Sequence, residues 1–407
     1  MITPLALYVH WPFCVSKCPY CDFNSHVRTN VDQDAWRDAL LADLAHEAAL
    51  TPDRPLGSIF FGGGTPSLMP PQTVAAVLAA AERAWGFTPG IEITLEANPS
   101  SVEAARFADL AAAGVNRVSL GLQSLDDRAL RFLGRAHDAA EGQAALRTAQ
   151  EVFPRVSFDL IYALPGQSLA AWQTELARAL AFGTEHLSLY QLTIEPGTRF
   201  ATEAAAGRLA IPDGDAAADL FEATRAMTAA AGLPAYETSN HARAGAESRH
   251  NLTYWRYGDY LGIGPGAHGR RGATATFRRR KPENWLAAVA RNGHGVERED
   301  SLDPTTRATE ALLMGLRLTE GVDLARIATL AAGEAPVDRE AVARLERLGM
   351  VASDGERLRV TETGALLLDA ILAEVVTSPR HPGPFDAACG VAQGRPVPGS
   401  TGPQAQA

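Results

Sequence analysis

Cys14, Cys18 and Cys21 fall within eight residues of one another, in the run Cys14-Val-Ser-Lys-Cys-Pro-Tyr-Cys21. Three thiolates on one short loop can hold three irons of a [4Fe-4S] cluster and leave the fourth iron open to an outside ligand. A zinc site is the alternative, because zinc accepts three sulfurs and one imidazole and both His10 and His26 flank the loop. The gap between the first two cysteines suits zinc less well than paired Cys-x2-Cys units would, and there is no second pair. A disulfide is the weakest reading, since the remaining thiol, Cys389, lies in a low-complexity tail.

Further residues able to do chemistry follow at intervals. In Phe61-Gly-Gly-Gly-Thr-Pro-Ser67, three consecutive glycines let backbone groups approach a polar ligand that a Cβ would exclude; a tight turn is the plainer account. Glu96, Gln123 and Asp159 sit in or at the ends of apolar runs, where a polar group must find partners or face a cavity. Any one of them alone reads as a satisfied core residue, but three on successive strands suggest a shared polar pocket. Arg135, in Gly134-Arg-Ala-His137, is either an exposed arginine at a helix end or a charged fork for a carboxylate. Arg270, Arg271, Arg278, Arg279, Arg280 and Lys281 form the one dense basic stretch and read as a solvated charged edge.

These residues need a frame, and the apolar patterning supplies one. Six strand-like runs, beginning near Ala6, Ser58, Ile91, Val115, Val156 and His186, each precede a helical pattern, which predicts repeated βα units and a parallel sheet. Six units suit an open (βα)6 partial barrel, with the strand C-termini and the motifs on one face. The expected organisation is an α/β partial barrel over residues 1–235, an irregular covering segment with short strands over 236–302, a winged-helix-like α+β unit over 303–377 and an unstructured tail over 378–407. The winged-helix expectation rests on three helical patterns and an Asp354-Gly355 hairpin signal.

Composition limits the function classes. The 407 residues are 46% hydrophobic and 21% charged, as in ordinary globular proteins, and no run approaches the apolar length of a membrane span. With no signal-peptide pattern, the expected address is the cytoplasm, whose reducing conditions suit bunched metal-binding cysteines. A net charge of −10, and 8 Arg against 13 Asp plus Glu within residues 303–377, speak against a nucleic-acid partner, which needs phosphate-neutralising charge.

The Cys-x3-Cys-x2-Cys run with Tyr20 before its last cysteine resembles the radical-SAM signature. Tyr8-Val-His-Trp-Pro-Phe-Cys, Gly-Gly-Gly-Thr-Pro-Ser, Gly-Leu-Gln-Ser, Asp159-Leu-Ile-Tyr-Ala-Leu-Pro-Gly-Gln167 and Gly264-Pro-Gly-Ala-His268 are similar to the motifs of one branch of that superfamily. This branch comprises oxygen-independent coproporphyrinogen III dehydrogenase (HemN) and the heme chaperone HemW. The resemblance runs from Leu5 to about Val376. It implies S-adenosylmethionine (SAM) at the open iron, contacted from Tyr8, Tyr20, Gly63, Gly64, Thr65, Glu96, Gln123, Arg135 and Asp159.

Two departures point toward the chaperone side. Phe23 stands where the dehydrogenase carries a further cysteine, and the chain reaches its cysteine loop without that enzyme's N-terminal extension. His250-Asn-Leu-Thr-Tyr-Trp255 resembles the motif associated with heme in the chaperone branch, which makes His250 a candidate axial ligand, or else an anchor for its segment over the barrel mouth. The basic stretch is then a candidate partner for heme propionates. The implied partners are heme, a heme-acceptor protein such as a respiratory one and, in the enzymatic alternative, an electron donor. In that alternative a reduced cluster cleaves SAM and hydrogen is abstracted from a porphyrinogen propionate side chain.

Overall fold

The computed structural model describes residues 3–377; Cys389 and the rest of the tail expected over 378–407 lie outside the described residues. Six strands form the frame: β1 (Leu5–Trp11), β2 (Leu56–Gly63), β3 (Phe87–Ala97), β4 (Arg117–Gln123), β5 (Arg155–Tyr162) and β6 (His186–Gln191). They pair in parallel in chain order, as a (βα)6 partial barrel requires. Helices such as Gln33–Leu50, Pro71–Trp85, Ala139–Val152 and Leu169–Leu180 connect them.

Strand residues alternate between two faces, and here the faces divide by chemistry. Leu7, Val9, Ile59, Phe61, Leu95, Leu120, Phe158 and Leu187 share the main core with Leu40, Val77, Leu146 and Trp172 of the surrounding helices. The intervening positions turn inward and are mostly polar: Tyr8 and His10, Ser58, Glu92 and Glu96, Arg117 and Ser119, Ser157 and Asp159, His186 and Ser188. The apolar outer face makes the barrel. Its inner face is left to hold something else.

Residues 236–302 are more regular than their sequence suggested. β7 (Asn240–Ala242) adds antiparallel to β6, and β8 (Tyr260–Ile263) adds parallel to β1 at the opposite edge. β9 (His268–Arg271), β10 (Thr274–Arg278) and β11 (Val296–Ser301) then continue the sheet antiparallel to eleven strands. Between the two edges, helix Arg249–Trp255 crosses the end of the barrel where the strands begin.

The C-terminal part holds helices Pro304–Gly315, Leu324–Ala331 and Arg339–Arg347 with a small sheet in the order Val322–Asp323, Arg357–Val360, Val351–Ser353. Two further helices, Glu362–Ala365 and Leu368–Val375, close it. Its core, built on Leu312, Ile327, Leu345, Leu358 and Ile371, takes in Trp255 and Tyr257 from the segment before it. Among the described residues no helix is long and apolar enough to cross a membrane.

Candidate cofactor-binding site

The cysteine loop leaves the C-terminal end of β1 and is braced from two sides. Asn24 donates to the carbonyls of Pro265 and Arg280, both at 2.9 Å, and its own carbonyl lies 3.0 Å from His10 Nε2. That carbonyl accepts, so Nε2 carries the proton and Nδ1 is left to accept from the Tyr8 hydroxyl at 3.0 Å. Gly266 (φ +80°) could carry no Cβ, which would stand 2.5 Å from Asn24 Nδ2. The Gly264-Pro-Gly266 motif is thus a seat for the cysteine loop.

The glycine run is the second brace. Gly64 N–H donates to the Trp11 carbonyl at 2.7 Å, and Thr65 N–H to the Phe13 carbonyl at 2.8 Å. A Cβ on Gly63 (φ +115°) would meet the His10 ring at 2.6 Å, and one on Gly64 the Phe13 carbonyl oxygen at 2.7 Å. These glycines are therefore required by the fit of β2 against the cysteine loop before any ligand is considered.

All three cysteines are half-buried and free. A belt of hydrogen bonds joins two of them. The Thr65 hydroxyl donates to Cys14 Sγ at 3.4 Å, and Asn98 Nδ2 donates to Thr65 Oγ1 at 3.1 Å. Arg135 closes the belt, donating to Asn98 Oδ1 at 2.5 Å and to Cys18 Sγ at 3.5 Å. Cys21 Sγ lies 3.9 Å from Ser25 Oγ. Burial pushes the Cys14 and Cys21 thiols up, an unfavourable setting for bare thiolates that bound cations would reverse. Among the described residues no three His, Cys, Asp or Glu side chains converge on a single metal ion, these thiols included. With both its ring nitrogens engaged, His10 is not free to complete a zinc site.

Arg135 is no exposed helix-end arginine. Gly134 (φ +68°), packed against Pro19 of the cysteine loop, turns the chain after helix Asp127–Phe132 and directs Arg135 inward. Its Nε is buried with no hydrogen-bond partner among the described residues. Gln123 ends β4 at φ +67°, a left-handed backbone uncommon for a side-chain-bearing residue, and its amide shares with Arg135 the space that a Cβ on Gly121 would fill. Tyr20 packs toward Phe200 at 6.3 Å, and burial raises its phenol.

Across the inner face stand two carboxylates with, among the described residues, no cationic partner in hydrogen-bond contact. Burial pushes Glu96 up to about 8, assisted by the nearby Asp159 charge, although Gly63 N–H donates to it at 3.3 Å. Burial also raises Asp159, to about 6, against the hydroxyls of Ser119 and Ser188. Gly63, Gly64, Thr65, Glu96, Gln123 and Arg135 therefore gather at the C-terminal end of the barrel, near the loop of Cys14, Cys18 and Cys21, while Asp159 and Tyr8 stand deeper, in mid-strand, with the Tyr8 ring 5.9 Å from His10 and 6.4 Å from His250. Asn98 completes the belt yet was not singled out from sequence. Its signal was an amide directly after a strand and before a proline.

His250 stands elsewhere. It is 1% exposed at the other end of the barrel, with Nδ1 3.0 Å from Ser58 Oγ and Nε2 2.7 Å from the Tyr254 hydroxyl, stacked on Phe60 at 5.0 Å. Both ring nitrogens are taken, and burial lowers its pKa to about 3. The expectation of an axial heme ligand is corrected to that of an anchor, and one that sits away from the mouth. Glu92 fixes the same helix, accepting from the backbone of Arg249 and His250 at 3.1 Å and from Arg155 at 2.6 Å.

The basic stretch is corrected in part. Arg278 is buried against Glu47 at 2.6 Å and Asp43 at 3.3 Å, Arg270 lies 3.3 Å over the Tyr257 ring, and Arg271 pairs with Glu47 at 3.0 Å. Arg271 and Arg278 thus hold β9 and β10 to helix Gln33–Leu50, Arg270 also donates to the Gly258 carbonyl, and Arg279 pairs with Glu297 at 3.3 Å, which leaves Arg280 and Lys281 as the exposed members in no ion pair among the described residues.

Six parallel strands around a polar interior, opened at their C-terminal end by a three-cysteine loop, define a radical-SAM barrel. Residues 8–177 match the Radical SAM superfamily and residues 302–367 the HemN C-terminal domain. The bovine protein called radical S-adenosyl methionine domain-containing protein 1, mitochondrial, is 41% identical over 91% of this chain and 87% of its own length. The protein called heme chaperone HemW from Escherichia coli is 37% identical over 91% of this chain and 98% of its own. The solved structure of coproporphyrinogen III oxidase (HemN) from Escherichia coli, described as a radical SAM enzyme, superimposes with a TM-score of 0.78 at 25% identity, covering 91% of this chain and 89% of that one. The chain belongs to the HemN/HemW family of radical SAM proteins.

Proposed function

We propose that the protein is a heme chaperone. Cys14, Cys18 and Cys21 hold a [4Fe-4S] cluster, SAM binds at its open iron, and heme is held for delivery to an acceptor protein in the cytoplasm or at a membrane facing it. The observation that carries the cofactor part is a set of groups at one end of the barrel: three half-buried thiols, the Nε of Arg135, which has no hydrogen-bond partner among the described residues, and two carboxylates raised by burial that lack a cation in hydrogen-bond contact there. Such groups are costly in isolation and fit a ligand that brings a carboxylate for Arg135 and a fixed sulfonium charge for Glu96 and Asp159. Tyr8, Gly63, Gly64, Thr65 and Gln123 shape the space between them, and Tyr20 closes it on the loop side. In this family such a cluster, when reduced, supplies an electron to bound SAM.

The chaperone part rests on the relatives called heme chaperone HemW, which match nearly end to end, and on Phe23 in place of a further cysteine. The likeness to HemN keeps a coproporphyrinogen dehydrogenase as the second reading. One experiment separates them. Anaerobically reconstituted protein is given coproporphyrinogen III, SAM and a reductant. The chaperone reading expects no protoporphyrinogen; its formation in repeated turnovers would establish the dehydrogenase.

A further inference from the structure

Asn98 is the side chain that joins the hydrogen bonds of two cysteines, and its own position is fixed before either is reached. It follows β3 directly, two residues beyond Glu96, so the extended chain turns both side chains to the same face. Pro99 after it keeps its backbone extended, and its N–H donates at 2.8 Å to Glu103 Oε2 in helix Ser101–Ala104. Glu103 is 3% exposed and also accepts from the hydroxyls of Ser67 and Ser100. Strand, proline and buried carboxylate therefore hold the amide at its base.

From that base the two ends of the amide do opposite work. Nδ2 donates to Thr65 Oγ1 at 3.1 Å, which leaves the Thr65 proton for Cys14 Sγ at 3.4 Å. Oδ1 accepts from Arg135 Nη2 at 2.5 Å, and the Gly121 carbonyl shares that nitrogen at 2.9 Å, so Nη1 is turned to Cys18 Sγ at 3.5 Å. An aspartate here would accept at both ends and draw the Thr65 proton away from Cys14.

We infer that Asn98 is a positioning residue for the cluster: by holding the Thr65 hydroxyl on Cys14 and the Arg135 guanidinium on Cys18, it sets the cluster's reduction potential. The inference rests on the cluster reading above and adds to it a residue beyond the three cysteines. Reduction adds one electron to the cluster and makes its thiolate sulfurs more negative. A hydroxyl and a cationic N–H aimed at those sulfurs stabilise the reduced form more than the oxidised one and so raise the potential. With the belt in place the cluster takes its electron from a weaker reductant. A belt that only braced the loop would change stability and leave the potential where it was.

The test uses the full chain with its cluster reconstituted anaerobically and without SAM. The midpoint potential is read by electron paramagnetic resonance during a titration with dithionite. N98A should favour the oxidised form by about tenfold, a fall of about 59 mV for a one-electron couple. T65V, which loses only the hydroxyl arm, should favour it by about threefold, and T65S should keep the wild-type value. N98A with full iron and sulfide content and a potential at or above that of wild type overturns the inference. Should N98A hold no cluster, T65V decides alone: a wild-type potential overturns the inference, and a fall that T65S does not show supports it. A wild-type chain that assembles no cluster overturns instead the reading on which the inference rests.

Discussion

The two ends of the barrel are built from the same residue types and settle their charges in opposite ways. Where the strands begin, Glu92 receives Arg155 and the N-terminus of helix Arg249–Trp255, His250 is bonded through both nitrogens, and His186 is held between Ser157 at 2.7 Å and Tyr236 at 3.0 Å. Where the strands end, among the described residues, Glu96 and Asp159 have no cation in hydrogen-bond contact and Arg135 keeps an unpartnered nitrogen. Satisfied polar groups close one end as structure. The groups at the other end, without a counter-charge in contact among the described residues, are those the proposed SAM site would use, which is why motif residues with similar chemistry carry different meanings.

Substitutions should break this contrast in order of size. Glu92→Gln leaves the buried Arg117 and the half-buried Arg155 without a counter-charge and weakens the hold on the helix, so a loss of about 3–5 kcal/mol in urea unfolding is expected. A loss below 1 kcal/mol would mean that this end is not the closed one. His250→Ala should cost about 2–3 kcal/mol through lost packing and stranded hydroxyls. Heme affinity in the same variant should stay within about twofold of wild type. A tenfold loss of heme binding with unchanged stability would restore His250 as a ligand.

At the open end the signs reverse. A carboxylate raised to about 8 in the folded chain but ordinary when unfolded lets the unfolded state lose its proton first, so cofactor-free protein should lose stability as pH rises from about 5 toward 8. Glu96→Gln should flatten that slope without lowering stability at pH 7, yet weaken SAM by about tenfold. A pH profile identical to wild type would show that Glu96 is already ionised. The smallest effect is in protons. The sulfonium is a fixed cation, so SAM binding at pH 7 should draw Glu96 and Asp159 down and release less than two protons, read from calorimetry in buffers of different ionisation enthalpy. Proton uptake would contradict the assignment.

The contrast also explains what the sequence disclosed. The six βα units were legible because the outer strand faces are uninterrupted Leu, Val, Ile and Phe, and the cysteines and inward carboxylates stood out against them. β9 and β10 were not, because Arg270 and Arg278 sit at buried positions where charge hides the apolar period, and the partners of Arg278, Asp43 and Glu47, lie more than 200 residues earlier on a helix. The glycine run was legible as a special backbone but not as a packing requirement, since His10 and Phe13 meet it only in space. His250 shows the same limit. A histidine motif gives a residue type, and only geometry reveals that both nitrogens are spent.

The central claim is that three thiols at the open end hold a cluster with one iron left for SAM. Its most direct test is anaerobic reconstitution followed by iron and sulfide analysis and by electron paramagnetic resonance of the reduced protein, with and without SAM. The account predicts about four irons and four sulfides per chain, a reduced-cluster signal that shifts when SAM is added, and loss of both in Cys14→Ser, Cys18→Ser or Cys21→Ser. Zinc in place of iron, or a signal indifferent to SAM, would contradict it.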